Sequence, residues 1–406
     1  MGGTKTLKKV NISKTGLLPK EEKLEQKQKQ KKYKIGIPKE IHNNESRVPL
    51  TPFAVDLLVK NGHKVIIQSN AGSSANFSNE DYKKYGAEIT KSLDDILKAD
   101  IIVKIMPLTI NEIKKLRGNQ ILISNLHLAN STKEYFDLLI KKQITAIAYE
   151  YIKDTNNCFP IVRSMSDIAG RTSVLIAAEY LSNVHNGKGE MLGGITGINP
   201  TEVIIIGAGT AGASATRTAL GLGAFVKVFD ISINKLNRLK NSFSQQVFTA
   251  LYQPRVLELA IKTADVVIGA VKYIDEKHQF FVTEEMIKKM KKNSVVVDIS
   301  IDQGGCIETS KLTTHSNPVF VKHDVIHYCV PNIPARVART ATYAISNIIT
   351  PFILQIGYNQ DIRTFAKENI DYLKSFYLYK GTLINKFIAE KFNLDYKDLE
   401  LLFFVM

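Results

Sequence analysis

The sequence predicts an α/β protein made of two doubly wound parallel sheets joined by long helices. Three observations carry that prediction. Apolar, β-branched runs alternate with amphipathic helical stretches from Tyr33 onward. A long helical stretch rich in small residues interrupts the alternation near mid-chain. A glycine-rich strand–turn–helix then opens a second series.

Taken in order, residues 34–38 read as a short strand. A helix over 51–61 has Pro52 in its first turn and Gly62 beyond its end. Strands at 64–68, 101–105, 121–126 and 146–149 alternate with helices at 79–85, 94–98 and 111–116. Residues 165–182 form the long helix, where Ala169-Gly170 and Ala177-Ala178 permit close approach to another backbone. Residues 187–197 are a glycine-rich loop. Beyond the glycine-rich strand–turn–helix come a helix at 235–241 and strands at 266–270 and 295–298. From Arg339 the pattern is helical again, and this segment is expected to cross back onto the first sheet.

The most informative stretch is Gly207-Ala208-Gly209-Thr210-Ala211-Gly212, preceded by Val203-Ile204-Ile205-Ile206. A second apolar run ends at Asp230, 23 residues after Gly207. Strand, G-x-G-x-x-G, helix, strand and acid together form the full dinucleotide-binding context, so the fold reads as Rossmann-like. Gly207 makes the tight turn, Gly209 admits a pyrophosphate close to the backbone, and Gly212 lets helix pack on strand. The N–H groups at Thr210 and Ala211 open the helix toward the phosphates. Asp230 accepts from a ribose 2′-hydroxyl and repels a 2′-phosphate, which favours NAD over NADP.

Composition bounds the alternatives. A chain of 406 residues is long enough for two domains with ample core. No apolar run approaches the roughly 18 residues that cross a bilayer, so no membrane partner is expected. Cys158, Cys306 and Cys329 are scattered and odd in number. They suggest neither a disulfide framework nor a cysteine zinc site, and they fit a cytoplasmic protein with no bound metal. The net charge of +15 is partly local, since residues 1–33 hold ten lysines against three glutamates. That stretch reads as a basic flexible arm. No basic motif interleaved with aromatics accompanies it, so nucleic acid is not an expected partner.

Several stretches together carry a family resemblance. Gly36-Ile37-Pro38-Lys39-Glu40, followed by Asn44-Glu45-Ser46-Arg47-Val48-Pro49-Leu50-Thr51-Pro52, resembles the N-terminal signature of the alanine dehydrogenase and pyridine-nucleotide transhydrogenase α-subunit family. Pro49 stands where that signature usually has a small residue. Residues 204–212, Gly223-Ala224 and Asp230 resemble its second signature. Ser300-Ile301-Asp302-Gln303-Gly304-Gly305-Cys306 and Tyr328-Cys329-Val330-Pro331-Asn332 extend the likeness. Residues 379–381 and 385–395 resemble the C-terminal helices of alanine dehydrogenases, which draws the chain toward that branch.

The resemblance implies reversible, NAD-dependent oxidative deamination of L-alanine to pyruvate and ammonia, in a substrate cleft between two domains. It implies a catalytic domain of residues 34–160 plus 339–406, an NAD-binding domain of residues 161–338, and a homo-oligomer, either hexamer or dimer. It assigns Arg47 to the substrate carboxylate, which suits a planar guanidinium. It assigns His127, in a kept His-Leu-Ala run, to proton exchange at the carbinolamine oxygen. Asp302 falls on the nitrogen side of the substrate. Ser166 and Asn332 match cofactor contacts, and Lys235 matches a position beside the adenosine ribose. Each also has a structural reading: Arg47 as a surface ion pair with Glu45 or Glu40, Asp302 as a turn residue, Ser166 and Asn332 as capping and loop groups, and Lys235 as a solvated lysine.

One departure stands out. The family pattern Lys-x-Lys-Glu-Pro appears here as Lys104-Ile105-Met106-Pro107-Leu108, so Met106 replaces the lysine that holds the pyruvate oxygens. A thioether cannot donate a charged hydrogen bond. Strand alternation puts residues 104 and 106 on one face, roughly 6.6–6.8 Å apart, so Lys104 is expected to lean into the gap as a substrate-binding group. Three readings follow: an alanine dehydrogenase, a related amino-acid dehydrogenase with another substrate, or an NAD(H)-binding protein without turnover that serves regulation or assembly.

Overall fold

Six short strands, none longer than five residues, build the first sheet of this computed structural model, which describes residues 31–42, 44–128, 131–272, 280–359 and 361–398. They are β1 (Lys34–Ile37), β2 (Lys64–Gln68), β3 (Glu88–Thr90), β4 (Ile101–Val103), β5 (Ile121–Ser124) and β6 (Thr145–Ala148). All run parallel in the order β3-β2-β1-β4-β5-β6. The expected arm at 1–33 lies almost wholly outside the described residues.

The second sheet is built from β7 (Glu202–Ile206), β8 (Phe225–Asp230), β9 (Phe248–Leu251), β10 (Val266–Gly269), β11 (Val295–Asp298), β12 (Val319–Lys322) and β13 (Val325–Tyr328). Its parallel strands follow the order β9-β8-β7-β10-β11-β13, with β12 antiparallel on the outer edge. Late in the chain, β14 (Phe376–Tyr379) and β15 (Thr382–Leu383) add an antiparallel hairpin to the first sheet beside β6. The whole is a two-domain, Rossmann-like α/β arrangement. Among the parallel strands of each sheet the order reverses once, between β1 and β4 and between β7 and β10. A crevice forms at such a reversal beyond the carboxyl ends of the strands.

Strand alternation builds the cores. Ile35, Ile37, Val65, Ile67 and Val103 pack on one side of the first sheet, against Ile345, Ile349, Phe352 and Ile353. Those four belong to the helix Ala338–Tyr358, which returns from the second unit. Ile102, Leu122 and Ala146 point the other way, onto Phe136 and Leu139.

The long connecting helix spans Pro160–Leu181, beginning a turn earlier than the sequence suggests because Pro160 starts it. A second correction concerns residues 379–381, which form no helix. They are the β14–β15 hairpin turn, with Lys380 at φ 46° and Gly381 at φ 76°. Only the helix Lys386–Phe392 occupies the 385–395 stretch.

Candidate active site

A cleft of about 1880 Å³ lies between the two sheets and takes lining residues from both. The glycine loop after β7 forms one wall. Gly207 has φ +104°, and a Cβ on it would sit 2.4 Å from the Ala270 carbonyl oxygen, so only glycine fits there. A Cβ on Gly212 would sit 1.8 Å from the Gly207 carbonyl oxygen. At Gly209 nothing lies within 4 Å, leaving its cleft side open. The helix Thr210–Gly221 starts here with no side-chain cap, so its first N–H groups remain for a ligand.

Asp230 ends β8 as a buried residue on the same wall. Its Oδ2 accepts the Ala208 N–H at 2.6 Å, and its Oδ1 accepts the Ser232 N–H at 2.8 Å. The carboxylate thus braces the glycine loop it stands beside. Lys235 lines the cleft from the helix Ile233–Asn241 with its side chain exposed, and Ser166 lines it from the connecting helix. An open glycine, an uncapped helix start and an acid at the end of the next strand fit a dinucleotide with a free ribose 2′-hydroxyl.

The opposite wall comes from loops that leave β1, β4, β5 and β6 at their carboxyl ends. Arg47 is buried there. Its Nε donates to Glu45 Oε1 at 2.8 Å, its Nη2 to Glu45 Oε2 at 2.6 Å, and its Nη1 to the Met165 thioether at 3.3 Å. The ion pair with Glu45 offered as a structural reading is therefore real. It is buried, and it lies within the cleft wall rather than on the outer surface.

His127 follows β5 in the left-handed conformation, φ 46°, and its backbone N–H donates to Asn125 Oδ1 at 2.7 Å. Burial, and then the neighbouring His42, hold its imidazole below the usual histidine value. Asp302 lies in the turn Ile299–Gln303 after β11 and faces the cleft, where desolvation holds its carboxyl above the ordinary range. Asn332, at φ 59°, donates from Nδ2 to the Asn44 carbonyl at 3.2 Å and to Glu45 Oε2 at 3.1 Å. It thereby joins the two walls.

Lys104 is the expectation the structure overturns. It is fully buried, its Nζ donates to both Glu112 oxygens at 3.0 Å, and neither residue lines the cleft. Residues 104 and 106 do not share a face, because regular strand geometry ends at Val103. Ile105 still faces the first core, and the chain then turns so that Met106 packs against that same core and lines the cleft.

Three groups emerge that the sequence did not single out as site residues: Glu45, Glu150 and Met165. Glu150 Oε1 accepts the N–H of Leu126, the residue before His127, at 2.8 Å, and burial pushes its carboxyl up to about 7. Its position just past β6 is the signal that could have found it. Glu40 lies behind Met106. Its Oε1 accepts the Ile105 N–H at 2.6 Å, its Oε2 is buried with no partner among the described groups, and burial pushes it up to about 8.

Comparison with known proteins agrees with this geometry. The family description "Alanine dehydrogenase/PNT, N-terminal domain" matches residues 36–169, and "Alanine dehydrogenase/PNT, C-terminal domain" matches residues 173–386. Alanine dehydrogenase 2 of Staphylococcus aureus (strain USA300) is 41% identical over 368 residues, covering 90% of this chain and 98% of that protein. A solved L-alanine dehydrogenase superposes with a TM-score of 0.83 at 35% identity, covering 89% of this chain and 99% of the other. A transhydrogenase from Sinorhizobium meliloti shares the fold, with a TM-score of 0.74 at 22% identity over 87% of this chain and 99% of its own.

Proposed function

This chain belongs to the alanine dehydrogenase/PNT family, and on that premise we propose that it interconverts L-alanine with pyruvate and ammonia. The coarser class, an NAD-dependent amino-acid dehydrogenase, follows from the family itself. One observation carries the finer reading. Arg47, His127 and Asp302 line the same cleft that the open Gly209 loop faces.

Glu45 occupies the Nε and Nη2 side of the Arg47 guanidinium. The end formed by Nη1 and Nη2 keeps donors for a carboxylate, in the forked geometry that guanidinium offers. Bound NAD supplies the hydride acceptor for the substrate Cα. His127, held below the usual histidine value, is neutral near pH 7 and takes a proton from the water that becomes the carbinolamine oxygen. Returning that proton assists the reverse direction. Asp302 stands for the nitrogen side, where a carboxylate stabilises the ammonium as it forms and leaves.

Residues 34–160 with 339–406 are assigned to substrate and 161–338 to NAD. Three free thiols suit a reducing cytoplasm. Among the described residues no helix is long and apolar enough to cross a membrane. The proposed assembly is a homo-oligomer, hexamer or dimer.

A specific observation supports the second reading. The lysines that line the cleft, Lys235 and Lys272, both come from the second unit, and none stands at the Met106 position. That fits another amino acid as substrate, or NAD(H) binding without turnover. Assaying NADH formation from L-alanine beside a panel of other amino acids decides among the three. Turnover with L-alanine above all others supports the proposal, and absence of turnover with any of them refutes it.

A further inference from the structure

Glu45 is the most heavily bonded carboxylate in the cleft wall. Its side chain is 1% exposed, so its lone pairs must be met by protein donors. Oε1 accepts the Arg47 backbone N–H at 2.9 Å and Arg47 Nε at 2.8 Å. Oε2 accepts Arg47 Nη2 at 2.6 Å and Asn332 Nδ2 at 3.1 Å. Three of these bonds stay within one loop. The fourth crosses from the other domain, 287 positions along the chain.

Resting on the reading of Arg47 as the carboxylate anchor, we propose that Glu45 is a positioning residue that ties the aim of the Arg47 guanidinium to the apposition of the two domains. The guanidinium cannot swing without breaking two charge-assisted bonds to Glu45. Glu45 in turn is fully satisfied only while Asn332 reaches it. The grip is wider than one bond, because Asn332 also holds the Asn44 carbonyl, and the His315 N–H donates to Asn44 Oδ1 at 3.2 Å. When the domains part, residues 44–47 lose the three bonds to Asn332 and His315 as well as the Arg47 contact with Met165, and Glu45 keeps only its partners on Arg47. A carboxylate that needs Arg47 aimed therefore favours the closed arrangement, and closure favours the carboxylate by the same factor.

The test separates this role from two plainer ones. Glu45→Gln keeps the shape, but its amide presents donors where Arg47 Nη2 and Asn332 Nδ2 also donate. If Glu45 merely neutralised Arg47, removing its charge would tighten binding of anionic pyruvate and lower KM. If it served packing alone, the melting temperature would fall with KM unchanged. Positioning predicts a KM for pyruvate raised about tenfold, with a smaller change in kcat. NADH affinity, measured by fluorescence titration, stays as in wild type.

Asn332→Ala, assayed at saturating NADH, is expected to raise KM as well. The double variant is expected to be no worse than Glu45→Gln alone, because both remove one linkage. Hydrogen exchange of residues 44–50 supplies a readout independent of turnover and is expected to quicken in Asn332→Ala. A lowered or unchanged KM in Glu45→Gln, additive single effects, or unaltered loop exchange overturns the proposal. If wild type turns over no amino acid, the proposed function falls alone, and the exchange measurement still decides the Glu45 linkage.

Discussion

Gly170 of the connecting helix touches the backbone of the nucleotide-side helix at Ala211: a Cβ on Gly170 would lie 2.0 Å from the Ala211 carbonyl oxygen. The obstacle is backbone, so no rotamer relieves it. Alanine usually stabilises a helix interior by about 1 kcal/mol over glycine. Here Gly170→Ala is expected to destabilise by about 1–3 kcal/mol, the usual range for overpacking. Thermal unfolding reads that loss. NADH affinity is expected to fall with it, because the displaced segment is the start of the helix that faces the cofactor.

Gly209→Ala is expected to behave in the opposite manner. Its backbone, φ −72° and ψ −167°, suits any residue, and nothing lies within 4 Å of the new methyl. The melting temperature should match wild type. The methyl enters the space a pyrophosphate needs, so NADH affinity in a fluorescence titration should drop by about tenfold or more. Unchanged affinity would mean that the cofactor does not approach this loop.

Met106→Lys is expected to raise kcat/KM for pyruvate by about tenfold or more, since a cation in the cleft stabilises charge that develops on the substrate oxygens. Met106 lines that cleft, and the neighbouring Ile105 N–H is held by Glu40 Oε1 at 2.6 Å. NADH oxidation with pyruvate and ammonium checks this. An unchanged or lower rate would show that the cleft has diverged beyond one residue.

Glu40 also gives stability a pH dependence. Its folded value of about 8 lies above the ordinary 4.5, so the fold favours the protonated acid. That contribution is complete below pH 4.5 and is lost as pH rises through 8. Glu40→Gln removes the titration and leaves an oxygen for the Ile105 N–H. The melting-temperature difference, variant minus wild type, should grow in favour of the variant between pH 5 and 8. A difference that is flat across this window would contradict the assignment.

His127→Asn keeps a residue type that tolerates φ 46° and removes the proton acceptor. The expected loss in kcat is about 10²–10⁴, with NADH affinity retained. In wild type, oxidative deamination needs the neutral imidazole. Because the folded value is lowered, activity should persist to more acid pH than an unperturbed value of 6.5 would allow, then fall. A rate that titrates above 6.5 would point to a different base.

The central parallel strands were legible because each is a run of buried β-branched residues, as at Val203 to Ile206 and Val295 to Val297. The edges were not. β3 and β9 are three and four residues long and only half-buried, so they carry no clear alternation. The site residues read from motif context line one cleft, except Gly212, which packs behind the loop against Gly207, and Lys104. Its failure is physical: alternation holds only while strand geometry lasts, and the chain turns at Met106. Glu45 was visible only as a partner for Arg47. Its bond across the cleft comes from Asn332, and no local pattern reports a neighbour 287 positions away.

Both sheets reverse strand order at the same place in their sequence of strands, so two crevices of the same kind face each other across one cavity. Each crevice hangs from its own core, and the buried clusters of the two units have no residue in common. The molecule is therefore modular. A change in the loops after β1, β4 and β5, such as the thioether at Met106, leaves the glycine loop, the helix start and Asp230 on the other wall untouched. New chemistry then has to find only half a site.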